Sequence, residues 1–277
     1  MTESGTMSVM DLSSMTSPGA GSQDTVLPPI RPSLTFLAIL AATIGAGVWL
    51  WSVNDGPSWG VFVFATIGWI LSLTMHEFAH ALMAWFGGDK SVAAKGYLQL
   101  DPRKYTEPGL SLVLPILFVL MGGIGLPGGA VWIQMGSIPN RWLRSAVSFA
   151  GPAMNIAFAA ICLLPVGRGW VNIDEHRSLT IGLAFLGVLQ IGATVLNLIP
   201  VPGLDGFGII NPHLSPELRA KIRPISSKGI FIVLALLWFV PPANRAFWDL
   251  ISLGVEIFGV NGDVASRLGF EEYQFWR

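Results

Sequence analysis

The residues best equipped for chemistry sit in an otherwise apolar run, Leu73-Thr74-Met75-His76-Glu77-Phe78-Ala79-His80-Ala81-Leu82-Met83. An ionisable side chain at membrane depth costs about 2.5–3.5 kcal/mol on insertion scales, so such residues mark functional positions by default. On a helix, positions i and i+4 share a face, so His76 and His80 present both imidazoles to one ion. Glu77 is one step round, where it reaches a water at that ion without filling a coordination position. This is the His-Glu-x-x-His pattern: zinc lowers the pKa of its water to about 7 and the carboxylate relays the proton. The competing reading, two histidines paired with polar neighbours in a helix bundle, does not call for this order.

Two histidines leave a catalytic zinc site short of its usual three protein ligands. His176 lies in the charged loop Asp174-Glu175-His176-Arg177, and His213 in the turn Asn211-Pro212-His213. Asp205 is better placed. A long apolar run ends at Leu196-Asn197-Leu198-Ile199 and breaks at Pro200-Val201-Pro202-Gly203-Leu204-Asp205-Gly206, where prolines remove helical hydrogen bonds and unwind the chain. Non-helical backbone at that depth must be buried in protein or line a wet cavity. The alternative is a turn aspartate just outside the membrane.

The elements that must carry these residues are visible in the composition. Of 277 residues, 52% are hydrophobic and 12% charged, with mean hydropathy +0.60. That is about half the charge of a soluble domain, and it predicts an all-α polytopic membrane protein. A net charge of −1 provides no basic field for nucleic acid, and the single Cys162 excludes an internal disulfide or a cysteine-ligated cluster. Four apolar runs are long enough to cross a hydrocarbon core of ~30 Å: Leu34 to Val53, Trp59 to Phe86, Trp142 to Val166 and Leu179 to Ile199. Gly229 to Val240 is short and stops at Pro241-Pro242, and Phe247 to Val260 is apolar but carries Asp249 and Glu256. Gly109 to Gly125, broken by Pro115 and ending among glycines, reads as a re-entrant segment, with a full crossing as the alternative. The expectation is five to six transmembrane helices: a disordered tail over 1–30, one domain over 31–260 and a C-terminal tail over 261–277.

The order of three motifs adds a resemblance. His76-Glu77-Phe78-Ala79-His80, Ala150-Gly151-Pro152-Ala153-Met154-Asn155 and Asn197 through Gly206 together closely resemble the site-2 protease family of intramembrane zinc metalloproteases. The likeness covers Leu34 to Ile210 and implies a minimal catalytic core. It implies one zinc ion per chain held by His76, His80 and Asp205, with Glu77 as the catalytic acid/base. It also implies that Asn155 holds the substrate carbonyl or its oxyanion, a role that competes with a helix–helix hydrogen bond. The implied partner is a transmembrane protein substrate within the lipid bilayer. One departure is Phe207-Gly208-Ile209, where members often carry a second glycine and a basic residue. The alternating stretch Tyr97-Leu98-Gln99-Leu100 reads either as a short membrane-associated strand that receives an extended substrate or as an ordinary loop.

The ligands must meet at one depth, which sets the topology. His80 is near the C-terminal end of the second run and Asp205 follows the C-terminal end of the fourth. Both ends face one side if Gly109–Gly125 is re-entrant. That side then collects Lys90, Lys95, Arg141, Arg144 and the Arg219–Lys228 group, while the other receives only Arg168 and Arg177. Cytoplasmic loops accumulate Lys and Arg, so the site opening and the N-terminus are expected in the cytoplasm. The non-enzyme alternative, a metal-ion transporter, calls for sites staged along a pathway rather than one cluster beside a glutamate. A non-catalytic zinc-binding protein has no use for Glu77.

Overall fold

The computed structural model describes residues 28–105, 131–222, 224 and 229–276. Its long helices are α1 (Leu34–Val53), α2 (Ser58–Gly87), α4 (Arg141–Gly167) and α5 (Arg177–Leu198), with the single turn α3 (Ser91–Ala94) after α2. After α5 come α6 (Asp205–Ile210), α7 (Pro216–Ile222), α8 (Gly229–Phe239), α9 (Pro241–Glu256) and α10 (Gly262–Tyr273). Four helices are long and apolar enough to cross a membrane, or five if the pair α8–α9, bent by 97°, is one broken span. The bend is proline chemistry. Pro241 and Pro242 open α9 without backbone N–H groups, and Asn244 Nδ2 donates to the Leu237 carbonyl that the break leaves free (3.0 Å).

Local sequence starts the helices. The Ser33 hydroxyl accepts from Phe36 N at 3.0 Å ahead of α1, and the Asn140 side chain accepts from Trp142 N at 2.8 Å ahead of α4. Packing then sorts them. In α5, 89% of the most apolar stretch is buried, against 17% in α1. Thus α5 is the central post and α1 a peripheral helix whose apolar surface faces outward.

Consecutive long helices alternate in direction. Ser178 at the start of α5 donates its backbone N–H to Asn54 O just after α1, whereas Ile138, just before α4, packs against Gly87 at the end of α2. The α2 C-terminus, the α4 N-terminus and the α5 C-terminus therefore share one end of the bundle. The segment expected to be re-entrant, Gly109–Gly125, lies outside the described residues. Its flanks are both held at α2: Tyr105 Oη donates to Thr74 O (3.2 Å) and Val131 N to Glu77 Oε2 (3.0 Å).

Two expectations are corrected. Tyr97–Gln99 is a 3₁₀ turn rather than a strand. It is bracketed by left-handed backbone at Gly96 (φ 78°) and Leu100 (φ 53°), which curls the chain where a strand must extend. Within the expected C-terminal tail, Gly262–Tyr273 instead form α10, which packs on α2 and α5. The Phe185 ring lies 4.9 Å from Phe270 and 5.3 Å from Tyr273, and Tyr273 Oη hydrogen-bonds Thr66 Oγ1 at 3.1 Å. The tail expected at the N-terminus lies outside the described residues except for residues 28–30.

Candidate metal centre

Helix α2 supplies His76, Glu77 and His80 from one stretch, and all three are buried. Asp205 arrives from the other direction. Helix α5 stops at Leu198, the chain turns through Pro200–Pro202, with Val201 N–H donating to Ile199 O and Leu204 N–H to Val201 O, and α6 begins at Asp205. Gly206 permits this close return, since a Cβ there would lie 2.2 Å from the Leu198 carbonyl oxygen. The result is a triangle of donors. His76 Nε2 and His80 Nε2 are 3.1 Å apart, and each lies 3.4 Å from a different oxygen of Asp205.

These donors fit a zinc ion. Ligand atoms at zinc distance in tetrahedral geometry stand about 3.3 Å from one another, close to all three edges. The imidazole tautomer is also suitable. His80 Nδ1–H donates to the Val147 carbonyl at 2.7 Å, which leaves the Nε2 lone pair facing the triangle. Among the described residues, no Lys or Arg forms an ion pair with Asp205, so the carboxylate is available to a cation.

Helix α4 covers the triangle at Gly151. A Cβ there would lie 2.2 Å from His80 Nε2 and 2.6 Å from His76 Nε2, so only glycine lets the helix pass this close. Glu77 shares a cavity of about 460 Å³ with His76, His80, Asp205 and the strip Val131–Ile133. Val131 N–H holds one Glu77 oxygen. Asn155, one turn beyond Gly151, lines a separate small cavity beside His76 and Glu77.

The chain is 43% identical over 251 residues to a Mycolicibacterium smegmatis protein named "Putative zinc metalloprotease Rip2", covering 89% of this chain and 95% of that protein. Rip2 of Mycobacterium tuberculosis H37Rv is 40% identical over the same length and coverage. YwhC of Bacillus subtilis, whose name has the same form, is 30% identical over 203 residues, 69% of this chain and 87% of that one. The chain belongs to the site-2 protease family of zinc metalloproteases. No family model matches it, and no solved structure matches it.

Within this site-2 protease framework, the structure separates the sequence candidates. Asp205 joins the two imidazoles. His213 instead lies tilted against the Trp142 ring (4.4 Å) and hydrogen-bonds Ser145 Oγ, and His176 stacks on Trp51 (3.8 Å) at the far end of the bundle.

Other residues at the site carried no chemical signal in the sequence. Buried Asp89 takes Ser91 N and Oγ on one oxygen (3.0 and 2.6 Å) and Gln134 N on the other (2.7 Å). Lys95 Nζ donates to Trp132 O at 2.7 Å and Arg144 Nε to Ile138 O at 2.6 Å. Together they pin the 131–138 strip whose first N–H orients Glu77. Asn197 lines both the large and the small cavity. Asn197 opens the third motif of the family resemblance, which gave it no role of its own.

Proposed function

We propose that His76, His80 and Asp205 hold one zinc ion and that the protein hydrolyses peptide bonds of transmembrane substrates within the bilayer, with Glu77 as general base and acid. The observation that carries this reading is the convergence of those three donors within 4.8 Å of one another, beside a glutamate on the wall of the same cavity. Bound zinc supplies Lewis acidity, polarising a peptide carbonyl and making water acidic near neutral pH. Glu77, aimed by the Val131 N–H, takes the proton of the attacking water and returns it to the leaving amine nitrogen. The Asn155 amide hydrogen-bonds no described residue, which leaves it free to donate to the substrate carbonyl oxygen as charge develops there.

A helical substrate shields its carbonyls in intrahelical hydrogen bonds and must unwind locally before attack. The large cavity gives the unwound segment and the consumed water a place to enter. The end of α2, the start of α4 and the end of α5 share one end of the bundle, so Lys90, Lys95, Arg141 and Arg144 lie at the end that carries the site. That charge bias supports a cytoplasmic opening and N-terminus. Residues 31–260 form the catalytic domain in this reading, and α10 buttresses it.

The test is metal analysis and cleavage of a helical substrate by purified wild type, Glu77→Gln and Asp205→Ala. Wild type carries one zinc and cleaves. Glu77→Gln keeps zinc and loses about 10²–10⁴-fold in rate, the usual worth of a positioned acid/base. Asp205→Ala loses zinc. Normal turnover by Glu77→Gln, or zinc-free wild type that cleaves, overturns the reading.

A further inference from the structure

Three buried side-chain atoms lack a hydrogen-bond partner among the described residues: Trp69 Nε1, His76 Nδ1 and Gln190 Oε1. They come from two helices, 69 and 76 on α2 and 190 on α5, yet all three residues line one chamber of about 20 Å³, together with Asn155 and Asn197. A chamber needs about 10–15 Å³ of such space for one water, and that water needs two to four polar partners. The size therefore suits a single molecule.

The hydrogen-bonding roles are complementary. Indole Nε1 only donates. With Nε2 turned to the triangle, neutral His76 carries its proton on Nδ1 and donates there too. The Gln190 amide is oriented by its neighbours: Ser72 Oγ–H donates to Trp69 O (2.8 Å), so Ser72 oxygen must accept, and it accepts from Gln190 Nε2 (2.8 Å). The remaining Gln190 Oε1 is an acceptor. Two donors and one acceptor on residues around one water-sized space are the partners a water molecule matches, and Glu77, Asn155 and Asn197 line the same space.

We propose that one buried water occupies this chamber and links His76 Nδ1–H and Trp69 Nε1–H to Gln190 Oε1, making Gln190 and Trp69 positioning residues for the His76 ring. The inference rests on the reading of His76 as a zinc ligand. It gives the two imidazoles different supports: His80 donates directly to the Val147 carbonyl, and His76 donates through water. Partners of this kind fix ring orientation and ligand basicity, and removing them weakens metal binding about 10–100-fold.

The experiment measures zinc affinity by chelator competition on the purified full chain, with the visible spectrum of the cobalt-substituted protein as a second readout. Gln190→Met removes the acceptor and Trp69→Phe removes one donor, while Gln190→Glu keeps an oxygen in place. The expected result is at least about tenfold weaker zinc binding and an altered cobalt spectrum for the first two, with affinity restored in Gln190→Glu. An experimental structure of the wild type should show one ordered water between the three atoms. Wild-type affinity and spectrum in both Gln190→Met and Trp69→Phe, or a dry chamber, overturns the proposal. If Gln190→Met does not fold, Trp69→Phe decides alone. A wild-type chain that binds no zinc overturns the metal reading itself and this proposal with it, a result distinct from zinc bound equally by every variant.

Discussion

Histidines and carboxylates gather at both ends of the α2–α5 frame, on opposite plans. At one end His76, His80 and Asp205 point at a common centre, two nitrogen lone pairs and a carboxylate with no basic side chain among them. At the other end each group has its own partner. Arg177 reaches Asp55 at 3.1 Å and Glu272 at 2.7 Å, Ser58 donates to Glu272, and His176 donates from Nδ1 to Trp51 O while stacking on that residue's ring. The first arrangement converges on one point as ligands of a cation would, and the second is tied together by its own ion pairs and hydrogen bonds. Residue type alone does not distinguish a site from a structural tie; convergence of three ligand-type groups on one point does.

Substitutions can break that contrast at either end. The largest effect belongs to Glu77→Gln, which should cut turnover by about 10²–10⁴-fold while zinc content stays at one. Loss of zinc in that variant would place Glu77 among the ligands instead. Gly151→Ala comes next, because its methyl would enter the space of both imidazoles. Zinc binding should fall by more than about tenfold, on the scale of disturbed outer partners, although alanine favours the helix. Wild-type affinity would mean that α4 shifts freely. Asp89→Ala leaves the N–H groups of Ser91 and Gln134 without their acceptor. It should lower stability by about 1–3 kcal/mol and slow turnover with zinc content unchanged, measured by thermal unfolding beside metal analysis. Smallest is Arg177→Ala at the far end, where partly exposed ion pairs contribute about 0–1 kcal/mol and neither zinc nor turnover should change. A loss of zinc there would show that the two ends are coupled.

The long helices were legible because lipid leaves the backbone few options. A spanning segment must satisfy its own hydrogen bonds, so apolar runs read directly as helices. The run Leu34 to Val53 is α1 to the residue, and the other three long runs agree with α2, α4 and α5 within two residues at each end. The two imidazoles were legible from their four-residue spacing, and Asp205 from the break that precedes it. Helix α10 was hidden because it is short and carries Asp263, Arg267, Glu271 and Glu272, so its apolar face is narrow. The turn at Tyr97–Gln99 mimicked a strand because alternation is blind to the positive φ of Leu100. Asp89 makes a local turn with Ser91, but its tie to Gln134 and that of Gln190 to Ser72 left no local trace. Those partners lie 45 and 118 residues away, and only the packed bundle brings them together.

X-ray absorption at the zinc edge, on the purified full chain and on Asp205→Ala, tests the central claim most directly. The account predicts one zinc per wild-type chain, bound by two imidazole nitrogens and carboxylate oxygen with no sulfur, and its loss in Asp205→Ala. An unchanged zinc spectrum in Asp205→Ala, or a wild-type spectrum without imidazole, would contradict it.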